Sequence, residues 1–197
     1  MPEKQFSISK WAWHFGDGGK ADFVRLAAAA AVQALGVWEA HTEPDAHLKP
    51  LFEVQTFHNA VSAIANWLES ATEANRRAAG QIALACSAHA RRLDENVLEA
   101  SGSADLVDSR ERAVYAAWAI VSATLAAACV AESDPPDGHT DRAEFVARNS
   151  AGPVDLAVDA VLSARKALGI DDPTMRQILE GVLKPGEITR NGEEPRN

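Results

Sequence analysis

The stretch AVYAAWAIVSATLAAACVA, residues 113 to 131, runs from Arg112 to Glu132 without a single charge. A helix that is apolar on every side belongs inside a protein. The sequence therefore predicts an all-α fold, a bundle of about six helices around this buried, alanine-rich central helix. By length the stretch would also cross a bilayer, which takes roughly 20 apolar residues. Its composition argues against that: alanine inserts weakly, Leu, Ile and Phe are scarce, and Ser122 and Thr124 add polarity. No Lys/Arg asymmetry or aromatic belt flanks it, so no membrane partner is expected. Val114, Trp118, Val121, Leu125 and Cys129 recur at helical spacing and predict one stripe of larger side chains.

Working outward, 21 to 41 is helical, with Phe23, Leu26, Ala27, Ala30, Ala34 and Val37 along one side, and Glu43-Pro44-Asp45 breaks it. Leu51, Val54, Phe57, Val61, Ile64 and Leu68 mark a second helix closed by Trp67. Ser70 to Glu73 has the form of a capping box, starting a third helix over 71 to 99 with Ile82, Cys86, His89, Leu93 and Val97 inward. SGSAD at 101 to 105 turns into the central helix. Asp134-Pro135-Pro136-Asp137-Gly138 ends it, and a short helix is expected over 141 to 148. Pro153 suits a helix start and Gly169 a helix end, and a last short helix begins at Asp172-Pro173. The domain organisation is then an aromatic arm and glycine linker over 1 to 20, one helical domain over 21 to 184, and a polar, turn-rich tail over 185 to 197 that is expected to be disordered. The arm, QFSISKWAWHF at 5 to 15, alternates apolar and polar residues, and predicts an extended segment or an irregular helix.

The formal net charge is −9, which disfavours nucleic acid and suits a basic protein partner. Cys86 and Cys129 are far apart and lie in apolar helical runs, so they read as small buried hydrophobes of a reducing compartment. With no basic segment and apolar run in the first 20 residues, the cytoplasm is the expected location. A homo-oligomer through an alanine-rich helix is compatible with the sequence.

Catalytic signatures are weak. GDGGK at 16 to 20 lacks the spacing and the following Ser or Thr of a phosphate loop. Cys86 and His89 lie three apart, but an oxyanion pocket is not indicated, and a core histidine donating to a backbone carbonyl or a neighbouring carboxylate is the expected role of His89. Asp134, Asp137, His139 and Asp141 do not complete a calcium-loop pattern. His41, His47 and His58, among Glu39, Glu43, Asp45 and Glu53, form the alternative metal set. They straddle a helix break and contain no Glu-x-x-His. No cofactor is therefore expected. Trp11, Trp13 and Phe15 are the candidate partner-binding residues, since Trp is enriched at interface hot spots; the competing reading folds the arm back into a groove of the bundle.

The order HLKPLFE at 47 to 53, a helix ending in Trp67, an alanine-rich run ending Ala-His-Ala-Arg at 88 to 91, and Ala-Cys-Val-Ala at 128 to 131 resembles the alanine-rich putative immunity proteins of bacterial polymorphic toxin systems, of the immunity-five-like group. The resemblance spans about 47 to 165. The chain departs from the pattern at Val54 to His58, where a basic segment is expected, and in having Cys129 and no histidine near the end of the central helix. The resemblance implies an all-α bundle that binds and occludes a toxin without chemistry of its own, and it carries over no site residues. The leading expectation is thus a non-catalytic cytoplasmic protein-binding module. The alternatives are a metal-dependent helical enzyme using His41, His47 and His58, and a small-molecule sensor with a pocket between alanine-rich helices.

Overall fold

The computed structural model describes residues 6–15, 19–97, 99–129 and 152–183. These form seven α-helices: α1 (Ile8–Trp13), α2 (Lys20–Ala40), α3 (Val54–Glu69), α4 (Glu73–Val97), α5 (Ala104–Ala128), α6 (Pro153–Leu168) and α7 (Asp172–Val182). A 3-10 turn, Lys49–Phe52, precedes α3. There is no strand among the described residues, and the protein is an all-α helical bundle. The short helix expected over 141 to 148, the polar loop before it, most of the glycine linker and the tail lie outside the described residues.

Helix α5 is the axis, packed by α2, α3, α4 and α6. Its small residues are the enclosed ones: Ala116, Ala117, Ala119, Ala123, Ala126 and Ala127 have no exposed surface. The larger side chains that recur at helical spacing are buried to different degrees. Val114 and Val121 are buried, whereas Trp118, Leu125 and Cys129 are half-buried. The reason is steric. A helix with neighbours on most sides needs short side chains where axes approach to about 8–10 Å, so bulky ones move to the seams between neighbours. Gly80 of α4 shows the approach: a Cβ there would sit 3.8 Å from the Ala128 Cβ. Helix α2 follows the same rule through Ala27, Ala30, Ala31 and Ala34. It is the one helix among the described residues long and apolar enough to cross a membrane, and half of its most apolar window is buried in the bundle.

Neighbouring helices supply the caps. The last carbonyls of α5 receive Lys20 Nζ, 3.0 Å from Ala127 O and also bonded to Cys129 O, and Arg76 Nη1, 3.1 Å from Ala128 O. Arg112 does the same for α6, donating to Ala167 O and Leu168 O. Cations at C-terminal carbonyls satisfy orphan acceptors and oppose the negative end of the helix dipole. Gly169 ends α6 at φ 67°, and a Cβ there would lie 2.8 Å from Arg112 Nη2, so the bare glycine makes room for that cap. At the helix starts, Ser103 accepts from the Leu106 amide and Asp171 from the Thr174 amide. The Ser70–Glu73 capping box is not formed: Thr72 Oγ1 caps α4 by accepting from the Asn75 amide, and Glu73 is drawn to Arg76 and Arg77.

Residues 8 to 13 are helical, which the alternating pattern left open. Ile8, Ala12 and Phe15 fall at helical spacing and are all buried, on α6 and α7. The Ile8 amide donates to Asp172 Oδ2 at 3.0 Å, and Arg165 Nη1 holds Oδ1 of the same carboxylate at 3.0 Å.

Candidate functional site

The break between α2 and α3 carries the strongest electrostatics. Glu43 and Arg110, 67 positions apart, form a bidentate pair at 2.8 and 2.9 Å, with side chains 1% and 2% exposed. Glu43 also accepts from the Asp45 amide at 2.9 Å, and Arg110 Nη1 reaches Ser101 O at 3.3 Å. Burial pushes the Glu43 carboxyl up, but the bonds from Arg110 and the Asp45 amide outweigh it and hold the group below its ordinary value. His41 lies beside the pair, its Nε2 3.4 Å from Glu43 and its Nδ1 3.0 Å from Ser109 Oγ. Burial lowers its pKa against the pull of Glu43, which keeps the ring neutral, donating to Glu43 and accepting from Ser109. The ring rests on Phe52, 4.3 Å between centroids, and Trp38, Phe57 and His89 continue the aromatic layer. The Trp38 Nε1–H, deep in that layer, has no acceptor among the described residues. The arrangement clamps the segment from 41 to 53 onto α5. Every polar atom of the pair faces another protein group, so it offers nothing to a substrate.

The sequence candidates divide accordingly. His41 is engaged in the clamp, His58 pairs with Glu39 at 2.7 Å on the surface, and His47 is exposed. The three histidines are not brought together, and no group of three metal-capable side chains converges among the described residues. His89 bonds Leu51 O, the core role expected of it. Cys86 donates to Thr56 O at 3.6 Å instead of meeting His89, and burial pushes its thiol up to about 11, away from thiolate chemistry. Of the aromatic arm, Phe15 is 5% exposed, Trp11 is half-buried against Phe15 with the Arg176 guanidinium 5.9 Å from its ring, and Trp13 is 50% exposed.

Two open grooves mark the surface. One, lined by Ala28, Ala29, Val32, Leu68, Val182 and Leu183 with Arg25 beside them, is mostly apolar. The other, about 320 Å³, lies between α4, α5 and α6: it is lined by Val114, Tyr115 and Trp118, by the carboxylates of Asp94 and Glu111, and by Ser163. No known family, curated protein or solved structure matches the chain. The Lys166 ammonium lies 4.7 Å over the Tyr115 ring at the groove's edge. Neither Asp94 nor Glu111 has an ion-pair partner among the described residues. The groove thus combines two carboxylates with two aromatic side chains in its lining. Sequence reasoning missed it because its residues come from three helices, and its two acids look like ordinary solvated charges in each one.

Proposed function

We propose that the chain is a non-catalytic protein-binding module, a rigid helical bundle that occludes a basic partner as an immunity protein occludes its toxin. The carrying observation is the location of the charge. The chain holds a formal −9, and Glu43 and Arg110 are the only buried members of its Asp, Glu, Lys and Arg residues among those described. They cancel each other, so among the described residues the core takes up none of the acidic excess. An acidic exterior steers a basic protein into contact and suppresses like-charged ones. The reading is supported further by the commitment of His41, His89 and Cys86 to internal bonds, which leaves them no substrate to act on. It places the protein in a bacterial cytoplasm, next to the toxin it neutralises.

The test is gel filtration of extract from the source cells, following the chain by mass spectrometry. The proposal expects the chain to elute above its monomer mass together with a basic polypeptide, and to return to monomer mass in high salt, where exposed charges are screened. Elution of the chain without a co-eluting polypeptide at both salt levels would overturn it.

A further inference from the structure

We infer that the groove between α4, α5 and α6 receives a single arginine side chain of the basic partner; this rests on the reading of the chain as a binder of a basic protein. The volume, about 320 Å³, suits a side chain and not a helix. Asp94 from α4 and Glu111 from α5 bring carboxylates there, and neither forms an ion pair among the described residues; the cation nearby, Lys166, is held over the Tyr115 ring. Glu73, by contrast, is paired with Arg76 and Arg77, and Glu180 with Arg176. The lining holds two aromatic rings, and a cation already uses one: Lys166 covers the Tyr115 face. The same contact recurs in the fold, with Lys20 4.6 Å from the Trp67 ring centre. Trp118 alone of the two lining rings carries neither a cation nor a stacked ring among the described residues, so its face is the vacant half of the groove.

A guanidinium fits this half better than an ammonium. It is planar, lies flat on an indole and is less strongly hydrated, while its fork of N–H donors addresses a carboxylate with two bonds at once. The Ser163 hydroxyl supplies a further acceptor. Lys166 repels a second cation from the Tyr115 side and so directs the newcomer to Trp118.

The experiment is an NMR titration of the full chain with a blocked peptide of alternating arginine and glycine, reading the Trp118 indole N–H, which is assigned by its loss in Trp118→Phe. Lysine–glycine and glutamate–glycine peptides are the comparators. The inference expects the Trp118 signal to move and saturate with the arginine peptide, more weakly with lysine, and not with glutamate. The variant Asp94→Asn/Glu111→Gln, folded to the same thermal midpoint because neither acid is fully buried, loses about five- to tenfold in affinity. A Trp118 signal that stays fixed while others move, or a double variant that binds like the parent, overturns the groove as the receptor. If that failure accompanies a basic polypeptide co-eluting with the chain, only the groove is lost. An arginine peptide seated on Trp118 with no polypeptide carried by the chain in its own cells overturns the partner reading and keeps the guanidinium site.

Discussion

Replacing Arg110 with methionine removes both guanidinium bonds from Glu43 and leaves a carboxylate that is 1% exposed with only the Asp45 amide and His41 beside it. Breaking a buried pair from one side costs about 3–5 kcal/mol, because the remaining charge is desolvated without compensation. The carboxyl escapes part of that by taking up a proton. Glu43→Gln strands the guanidinium instead, with Ser101 O and one amide oxygen for company, and belongs at the lower end of the same range. A domain is stable by about 5–15 kcal/mol in total, so either change removes a large share. The double variant buries no ion. Its cost is expected to fall short of the sum of the singles by about 2 kcal/mol or more, the signature of two residues in one network. Urea unfolding at neutral pH, followed by far-UV circular dichroism, gives all three values, and an unchanged slope confirms that the transitions compare like with like. Two singles costing less than about 1 kcal/mol each and adding simply would refute the reasoning, since that is how a solvated surface pair behaves.

Three further outcomes follow from the same geometry. Gly169→Ala should lower stability by about 1–2 kcal/mol in thermal unfolding, because φ 67° is costly for any residue with a Cβ and the new methyl displaces Arg112 from the α6 carbonyls; an unchanged midpoint would show that the cap is dispensable. Acid should destabilise the protein in two stages. The folded-state pKa of His41 is lowered, so the unfolded chain binds that proton first, and stability drops as pH falls through about 6.5. The folded-state pKa of Glu43 is also lowered, so its contribution is present above about 4.5 and drains away as pH falls below that. His41→Gln should flatten the first stage in a series of urea midpoints against pH, and an identical profile would remove His41 from this account. Cys86, with its thiol pushed to about 11, should resist iodoacetamide in the folded protein at mildly alkaline pH and react on unfolding, which peptide mass mapping reads directly; rapid labelling of the folded chain would mean the thiol is not held as described.

Much of the frame is legible in local pattern. The charge-free run names the axis, Pro153 and Gly169 bracket α6, and the apolar stripe around His89 marks it as a core histidine, whose partner proves to be the Leu51 carbonyl. What stays hidden depends on distance in sequence. Glu43 looks like one acid in a polar break, and Arg110 like a charge at the wet start of a helix; only their meeting across 67 positions makes them a core pair. The same holds for Lys20 and Arg76, whose partners are carbonyls at the far end of α5. In the arm, the alternation of Phe6, Ile8, Trp11 and Trp13 obscured the helical spacing of Ile8, Ala12 and Phe15, which is the pattern the core selects. On α5 the helical spacing of the larger residues does not by itself say how deeply each is buried: Ile120 and Val121 are as enclosed as the alanines, while Trp118 and Leu125 are half-buried.

Native mass spectrometry of the untagged chain, isolated gently and without chelator from its own cells, tests the central claim most directly, since one spectrum reports subunits, metal and small ligands together. The account predicts the chain in fixed stoichiometry with one basic polypeptide, released as ionic strength rises. A bare chain or a homo-oligomer carrying a metal ion or a small molecule would contradict it.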